Sequence, residues 1–240
     1  MAHPYLNSWQ IDLSKKKAFI LIIILFFAFM HYGYLVFLRF FADRYYSEGV
    51  YYSEEARAVP IENLVEKSIF YQNALKSLSK SLRLNHHDAR TYFEYGQIVA
   101  EIAGDGNLRD SLDIEKLGIR NEGEKALYSL ASSYYKEAIA REPANAIYHQ
   151  KLGHVYNKLS DSPEEAEKEF KKAILLDPQN ISIYLYLSQY YLSKGKDTDF
   201  NFYLEKVISL FNQGVRAGGC AFSDMVGGFL KRINREELIR

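Results

Sequence analysis

One cysteine, Cys220, stands in 240 residues. A lone thiol excludes an internal disulfide and a thiolate metal site, which needs several clustered ligands. Net charge is lacking as well, because 30 basic side chains balance 30 acidic ones. The first 42 residues hold four of the bases and a single acid, Asp12, so the remainder is slightly acidic and a poor electrostatic match for nucleic acid. The glycines make no phosphate loop: neither Gly-x4-Gly-Lys-Ser/Thr nor Gly-x-Gly-x2-Gly occurs. His149 and His154 are five residues apart and cannot form an i, i+4 metal pair on a helix, while His86-His87-Asp88 has no further ligand beside it and reads as a turn. No catalytic constellation emerges. The sequence implies no enzyme, cofactor, metal or small-molecule substrate.

Charge is also missing from the whole stretch between Ala18 and Leu38. About 20 apolar residues cross the hydrocarbon core as a helix, and a run that is apolar all round has no face to give to solvent. Residues 18–42 therefore read as a transmembrane anchor behind a polar segment, 1–17, that ends in Lys15-Lys16-Lys17. The run is long for a cleaved leader and no small-x-small site follows it closely, so the anchor is expected to stay uncleaved. The lysines favour a cytoplasmic amino terminus, against Arg39 and Arg44 beyond the run. In a bacterium this makes a single-pass inner-membrane protein with its carboxy-terminal domain in the periplasm. Tyr45, Tyr46, Tyr51 and Tyr52 suit the far interface. His31 is the one basic side chain in the run, which makes it a candidate contact to a partner's membrane helix.

Beyond the anchor, residues 43–60 carry Gly49 and several charges and read as a linker closed by Pro60. Residues 61–211 read as repeats. Ala131, Ala166 and Phe200 align, as do Tyr135, Phe170 and Leu204, and Ala138, Ala173 and Val207, at steps of 35 and 34 residues. The middle copy runs His149-x2-Leu152-Gly153-x2-Tyr156, then Ala166-x3-Phe170, then Pro178. This resembles the tetratricopeptide (TPR) pattern, with His in the Trp place. Tyr92-x2-Tyr95-Gly96-x2-Val99 makes a second recognisable first helix, and its partner is delayed by an insertion over 104–122. There Leu112, Ile114, Leu117 and Ile119 are able to fold over a repeat edge. An earlier copy is degenerate: Ala74-x3-Leu78 and Ser81 fit a second helix within 61–84, but Pro60 falls where its first helix should lie. Asp88 is placed to cap the helix that follows it.

After the array, Phe222, Met225, Val226, Phe229, Leu230 and Ile233 recur at helical steps, so 212–240 reads as a helix that caps the solenoid or, with its basic tail, docks on the membrane surface. Gly227-Gly228 in it suggests close packing or a bend.

The fold expected is therefore all-α: one amino-terminal transmembrane helix, then a TPR-like helical-hairpin solenoid. The resemblance implies protein binding, by a membrane-anchored interaction scaffold or accessory subunit of a multiprotein membrane or envelope complex. The alternative is an integral, non-catalytic subunit of an energy-transducing membrane complex whose transmembrane helix makes the main contacts. Carrying over the groove places of the TPR family gives Arg90, Phe93, Gln97 and Glu101, then Gln150, His154, Asn157 and Lys158, then Ser182, Leu185, Gln189 and Ser193. Phe93 and Leu185 would be the apolar anchors. Relatives that clamp a peptide's terminal carboxylate have Lys four residues before Asn, and the pairs here, Phe93/Gln97, Gln150/His154 and Leu185/Gln189, depart from that.

Overall fold

The computed structural model describes residues 13–60, 62–112, 123–159, 163–213, 227–229 and 231, and among these it contains helices and no strand. The first helix, α1 (Leu13–Ala58), is 46 residues long, about 69 Å at 1.5 Å per residue. Side chains from Phe19 to Phe37 are exposed all the way round, over a stretch of mean hydropathy 2.3. Beyond it the same helix gains a buried face at Ala42, Gly49, Ser53 and Ala56, steps of seven, four and three that fall on one side of a helix.

That face packs on α2 (Leu64–Leu84). Residues 43–58, expected as a linker, are therefore the first helix of the first hairpin, and Pro60 lies in the turn after it. The reason is burial: Ala56, Leu75 and Leu78 are fully enclosed by the pairing, and each large apolar side chain so buried contributes about 1.5–3 kcal/mol. Tyr46 and Tyr52 pack against the same core, and Tyr45 lies under Lys80, so three of the four tyrosines expected at the membrane interface belong to the solenoid instead.

Three further hairpins follow. They are α3 (Ala89–Gly104) with α5 (Glu124–Arg141), α6 (Ala146–Lys158) with α7 (Pro163–Leu176), and α8 (Ile181–Ser193) with α9 (Asp197–Asn212). A short α4 (Gly106–Ser111) opens the insertion and seats Leu108 and Leu112 in the main core. Ile114, Leu117 and Ile119 lie outside the described residues. All nine positions aligned in the sequence, from Ala131 to Val207, are buried.

A small residue meets a large one inside each of the first three hairpins. A Cβ at Gly49 would stand 2.6 Å from Leu78 Cγ, one at Gly96 would stand 3.1 Å from Tyr135 Cε1, and one at Gly153 would stand 3.1 Å from Phe170 Cδ1. In the last hairpin the corresponding place is Ser188, fully buried, whose hydroxyl donates to the Leu185 carbonyl at 2.8 Å. The chain is a TPR-like solenoid of four hairpins, continuous with an apolar helix.

The turns between hairpins are capped unequally. Asn145 and Asn180 accept from the amides of Ile147 and Ser182, each at 3.2 Å. Asp88 does not cap α3: its carboxylate takes the Thr91 hydroxyl at 2.6 Å and the Arg90 guanidinium at 2.9 Å. The ion pair with Arg90, charged on both sides, is the stronger of these bonds and draws the carboxylate off the helix amides. His86 and His87 lie in this turn with ring centroids 3.9 Å apart, and among the described residues no group of three His, Cys, Asp or Glu is placed to hold a metal.

Past α9 the described residues 227–229 and 231 are helical, and Phe229 is buried in the cluster of the last hairpin with Phe200, Leu204 and Val207. Among the described residues nothing lies within 4 Å of where a Cβ at Gly227 or Gly228 would be. Phe222, Met225, Val226, Leu230 and Ile233 lie outside the described residues.

Candidate interaction face

The first helices of the hairpins, α1, α3, α6 and α8, touch one after another, while the second helices α2, α5, α7 and α9 make no comparable contact. The first helices therefore line the inner, concave side, and their outward-facing side chains decide what that side offers.

At the amino-terminal end the inner side is closed by its own bonds. Arg57 of α1 reaches Glu94 at 2.8 Å and Glu101 at 3.0 Å, both on α3. Tyr71 of α2 donates to Glu101 at 2.9 Å, and Gln97 donates to Glu101 at 3.1 Å. Ser53 donates to Glu94 at 2.7 Å. Burial opposes the charge of Arg57, but the two carboxylates outweigh it and hold the pKa above its usual value. Arg90 is held by Asp88 and by Asp43, at 2.9 Å each, and lies over the Tyr46 ring at 4.8 Å. Of the expected groove residues, Arg90 and Glu101 thus tie α3 to α1 and α2, and Gln97 is held on Glu101 within α3.

Packing claims others. Leu185 is 1% exposed and Gln150 is 4% exposed, so neither presents a surface to a partner. Both were expected in the groove because the family's places were carried over without knowing how far neighbouring helices close over them. Phe93 is half-buried, stacked on Tyr148 at 4.8 Å and beside Tyr135 at 5.7 Å. Ser182 donates to Asn180 at 2.5 Å beside the cap, and the exposed Ser193 donates to the Tyr190 carbonyl at 2.7 Å.

What stays open lies on α6 and α8. His154 is half-buried with its ring edge-on to Tyr186 at 5.3 Å. Burial, with Lys158 and Lys151 adding to it, pushes its pKa down to about 4. Asn157 and Gln189 are half-exposed and Lys158 is exposed. Lys151 joins them on the same side, and burial draws its pKa down while Glu101 opposes the shift. The family places do not include Lys151, yet its position three residues before His154 already puts it on that face.

His149 is not part of this face. It is buried, with Nδ1 at 2.5 Å from the Glu169 carboxylate and Nε2 at 3.0 Å from the Pro143 carbonyl, and so fastens α6 to α7 and to the preceding turn. His31 is exposed in the middle of the apolar stretch of α1.

Neither a family model nor a curated protein matches the sequence. Among solved structures, a crystal structure of MamA is similar at 21% identity and a TM-score of 0.46, over 69% of this chain and 88% of that one. A MamA chain from Desulfovibrio magneticus RS-1 is similar at 18% identity and a TM-score of 0.36, over 69% and 96%. YrrB, described as a TPR protein with an unusual peptide-binding site, is similar at 18% identity and a TM-score of 0.32, over 66% and 84%. At these TM-scores the likenesses carry no argument, and the fold rests on this chain's own helix pairing.

Proposed function

We propose that this chain is a membrane-anchored protein-interaction scaffold, or accessory subunit of a multiprotein membrane or envelope complex, whose partner is another protein. The observation that carries the reading is the continuity of α1. It runs unbroken from an apolar segment exposed on every side into the buried wall of the first hairpin. With no flexible joint between them, the inner face is held at a set angle and height relative to the bilayer. The solenoid lies across the membrane from Lys15-Lys16-Lys17 and the anchor stays uncleaved, the orientation favoured by the positive-inside rule.

Two measurements test this together. Membrane flotation after an alkaline wash should leave the full-length chain in the lipid fraction, and protease added to intact spheroplasts should digest the solenoid. Release by the wash refutes the anchor, and protection until the membrane is broken refutes the orientation. Native purification then separates scaffold from integral subunit. His31→Leu should leave partner recovery unchanged, and loss of a stoichiometric complex in that variant would shift the main contact into the membrane.

A further inference from the structure

The face of α1 that packs on the solenoid does not end where the solenoid ends. Ala42, Gly49 and Ala56 are buried at steps of seven, and seven residues before Ala42 stands Leu35, on the same side of the helix. Leu35 is 48% exposed, because α2 stops at Leu84 and the chain turns there toward α3. Between this extended stripe and that turn lies a cleft of about 790 Å³. Along α1 its wall changes from apolar, Leu35 and Leu38, to polar, Arg39 and Asp43. His86, His87, Asp88 and Arg90 line it from the turn and the start of α3, and Glu142 lines it from the turn after α5. Leu35 to Asp43 spans about 12 Å of helix axis, and the change from apolar to polar falls where the charge-free stretch ends. A headgroup layer is about 5–8 Å thick on each side of a hydrocarbon core of about 30 Å. In the anchored chain the cleft therefore straddles the boundary between acyl chains and headgroups.

A molecule that fills this cleft has to be apolar at one end and charged at the other, and has to reach it from within the bilayer. A membrane lipid is both. Charge selects the headgroup. Asp43 and Asp88 each hold Arg90 at 2.9 Å, so the carboxylate one turn beyond Arg39 is given to another guanidinium. Glu142 meets neutral donors, the Asn145 amide at 3.4 Å and the Tyr148 hydroxyl. The lining thus offers a ligand one cation, Arg39, and one anion, Glu142. Its two guanidiniums stand against three carboxylates, which disfavours a headgroup that is anionic throughout. Resting on the anchored reading above, we infer that the cleft seats a phospholipid whose headgroup carries a primary ammonium, of the ethanolamine type, with its phosphate on Arg39 and its ammonium on Glu142. His86 and His87 line the same cleft, and an imidazole N–H can donate to a phosphate oxygen. The acyl chains lie along Leu35 and Leu38. Because the cleft joins α1 to the turns before α3 and α6, the lipid fastens the solenoid to the bilayer at a second place besides the anchor.

The test uses the full chain in detergent micelles supplied with equal amounts of phosphatidylethanolamine, phosphatidylcholine and phosphatidylglycerol of identical acyl chains, and native mass spectrometry reads the lipid retained. The ethanolamine lipid should be held at least about fivefold over either of the others, since choline has no N–H to give a carboxylate and glycerol has no cation. Glu142→Gln should bring the ethanolamine lipid down to the choline level, and Arg39→Gln should lower both alike. Arg44→Gln, exposed on α1 outside the cleft, should change neither, all variants melting within the spread of the parent. Soluble glycerophosphoethanolamine in excess should fail to displace the lipid, because it has no chains for Leu35 and Leu38. Equal retention of the three lipids, a preference for phosphatidylglycerol, or an ethanolamine preference that survives both variants overturns the inference. Displacement by the soluble headgroup overturns it as well, by removing the bilayer as the source. Release of the chain by the alkaline wash overturns the anchor and this inference together, whereas a chain that floats and holds the three lipids equally overturns this inference alone.

Discussion

Replacing Gly49 by alanine puts the junction between anchor and solenoid under direct test. The added Cβ would stand 2.6 Å from Leu78 Cγ and 2.7 Å from Leu78 Cδ2, with the Ala74 carbonyl oxygen at 3.3 Å. Carbon atoms settle at about 3.5–4.0 Å, so the overlap is about 1 Å. Leu78 is fully buried, and the Ala74 oxygen is backbone and cannot swing aside. Overpacking of this kind costs about 1–3 kcal/mol, and the gain in helix propensity of about 1 kcal/mol offsets part of it. The net loss is up to about 2 kcal/mol, or up to roughly 8 °C in Tm for a domain of this size. Gly33→Ala supplies the control: nothing lies within 4 Å of its Cβ position, so only the propensity gain remains. Gly96→Ala and Gly153→Ala, with closest approaches of 3.1 Å, should fall between the two. Thermal unfolding of the full chain in micelles, followed by circular dichroism, reads the order. If Gly49→Ala is as stable as Gly33→Ala, residues 43–58 are not clamped on α2 and the rigid junction is wrong.

Three further outcomes are expected. His149→Phe keeps the ring volume but leaves the Pro143 carbonyl without its donor and Glu169 with Lys172 alone, which should cost about 1–3 kcal/mol in denaturant unfolding; an unchanged midpoint would show that these bonds contribute nothing net. His154 has a folded-state pKa of about 4, below the unfolded value of about 6.5, so folding favours the neutral ring. The stabilisation is present above about pH 6.5 and is lost as pH falls toward 4, by at most about 3 kcal/mol. His154→Gln should flatten the stability profile in that window, and a variant whose profile matches the parent would refute the assignment. Phe229→Ala should lower Tm through the last hairpin, where its ring is 3% exposed, at a cost of about 3–5 kcal/mol for a buried phenylalanine; an equally stable variant would show that the terminal segment does not cover the array.

Local chemistry in the sequence was sufficient for the repeats and the apolar run. Ala166, Phe170 and Ala173 recur at a fixed step because each hairpin needs small and large residues at the same depths. An uninterrupted apolar stretch from Ala18 to Leu38 has few foldable uses besides a membrane helix. The first hairpin was half legible. Tyr45-x3-Gly49-x2-Tyr52 has the same spacing as His149-x3-Gly153-x2-Tyr156, but Glu48 stands where Leu152 does. Gly49 and Leu78 are also 29 residues apart where Gly153 and Phe170 are 17 apart, so the period that exposes the other copies skips this one. Only the tertiary structure could pair α1 with α2. The inner face was the least legible, because a residue's place in a repeat sets its direction but not its exposure. Leu185 is buried and Arg90 is bonded away through neighbours contributed by other hairpins. Lys151 faces inward near Glu101 and Glu94, carboxylates of α3 that also hold Arg57.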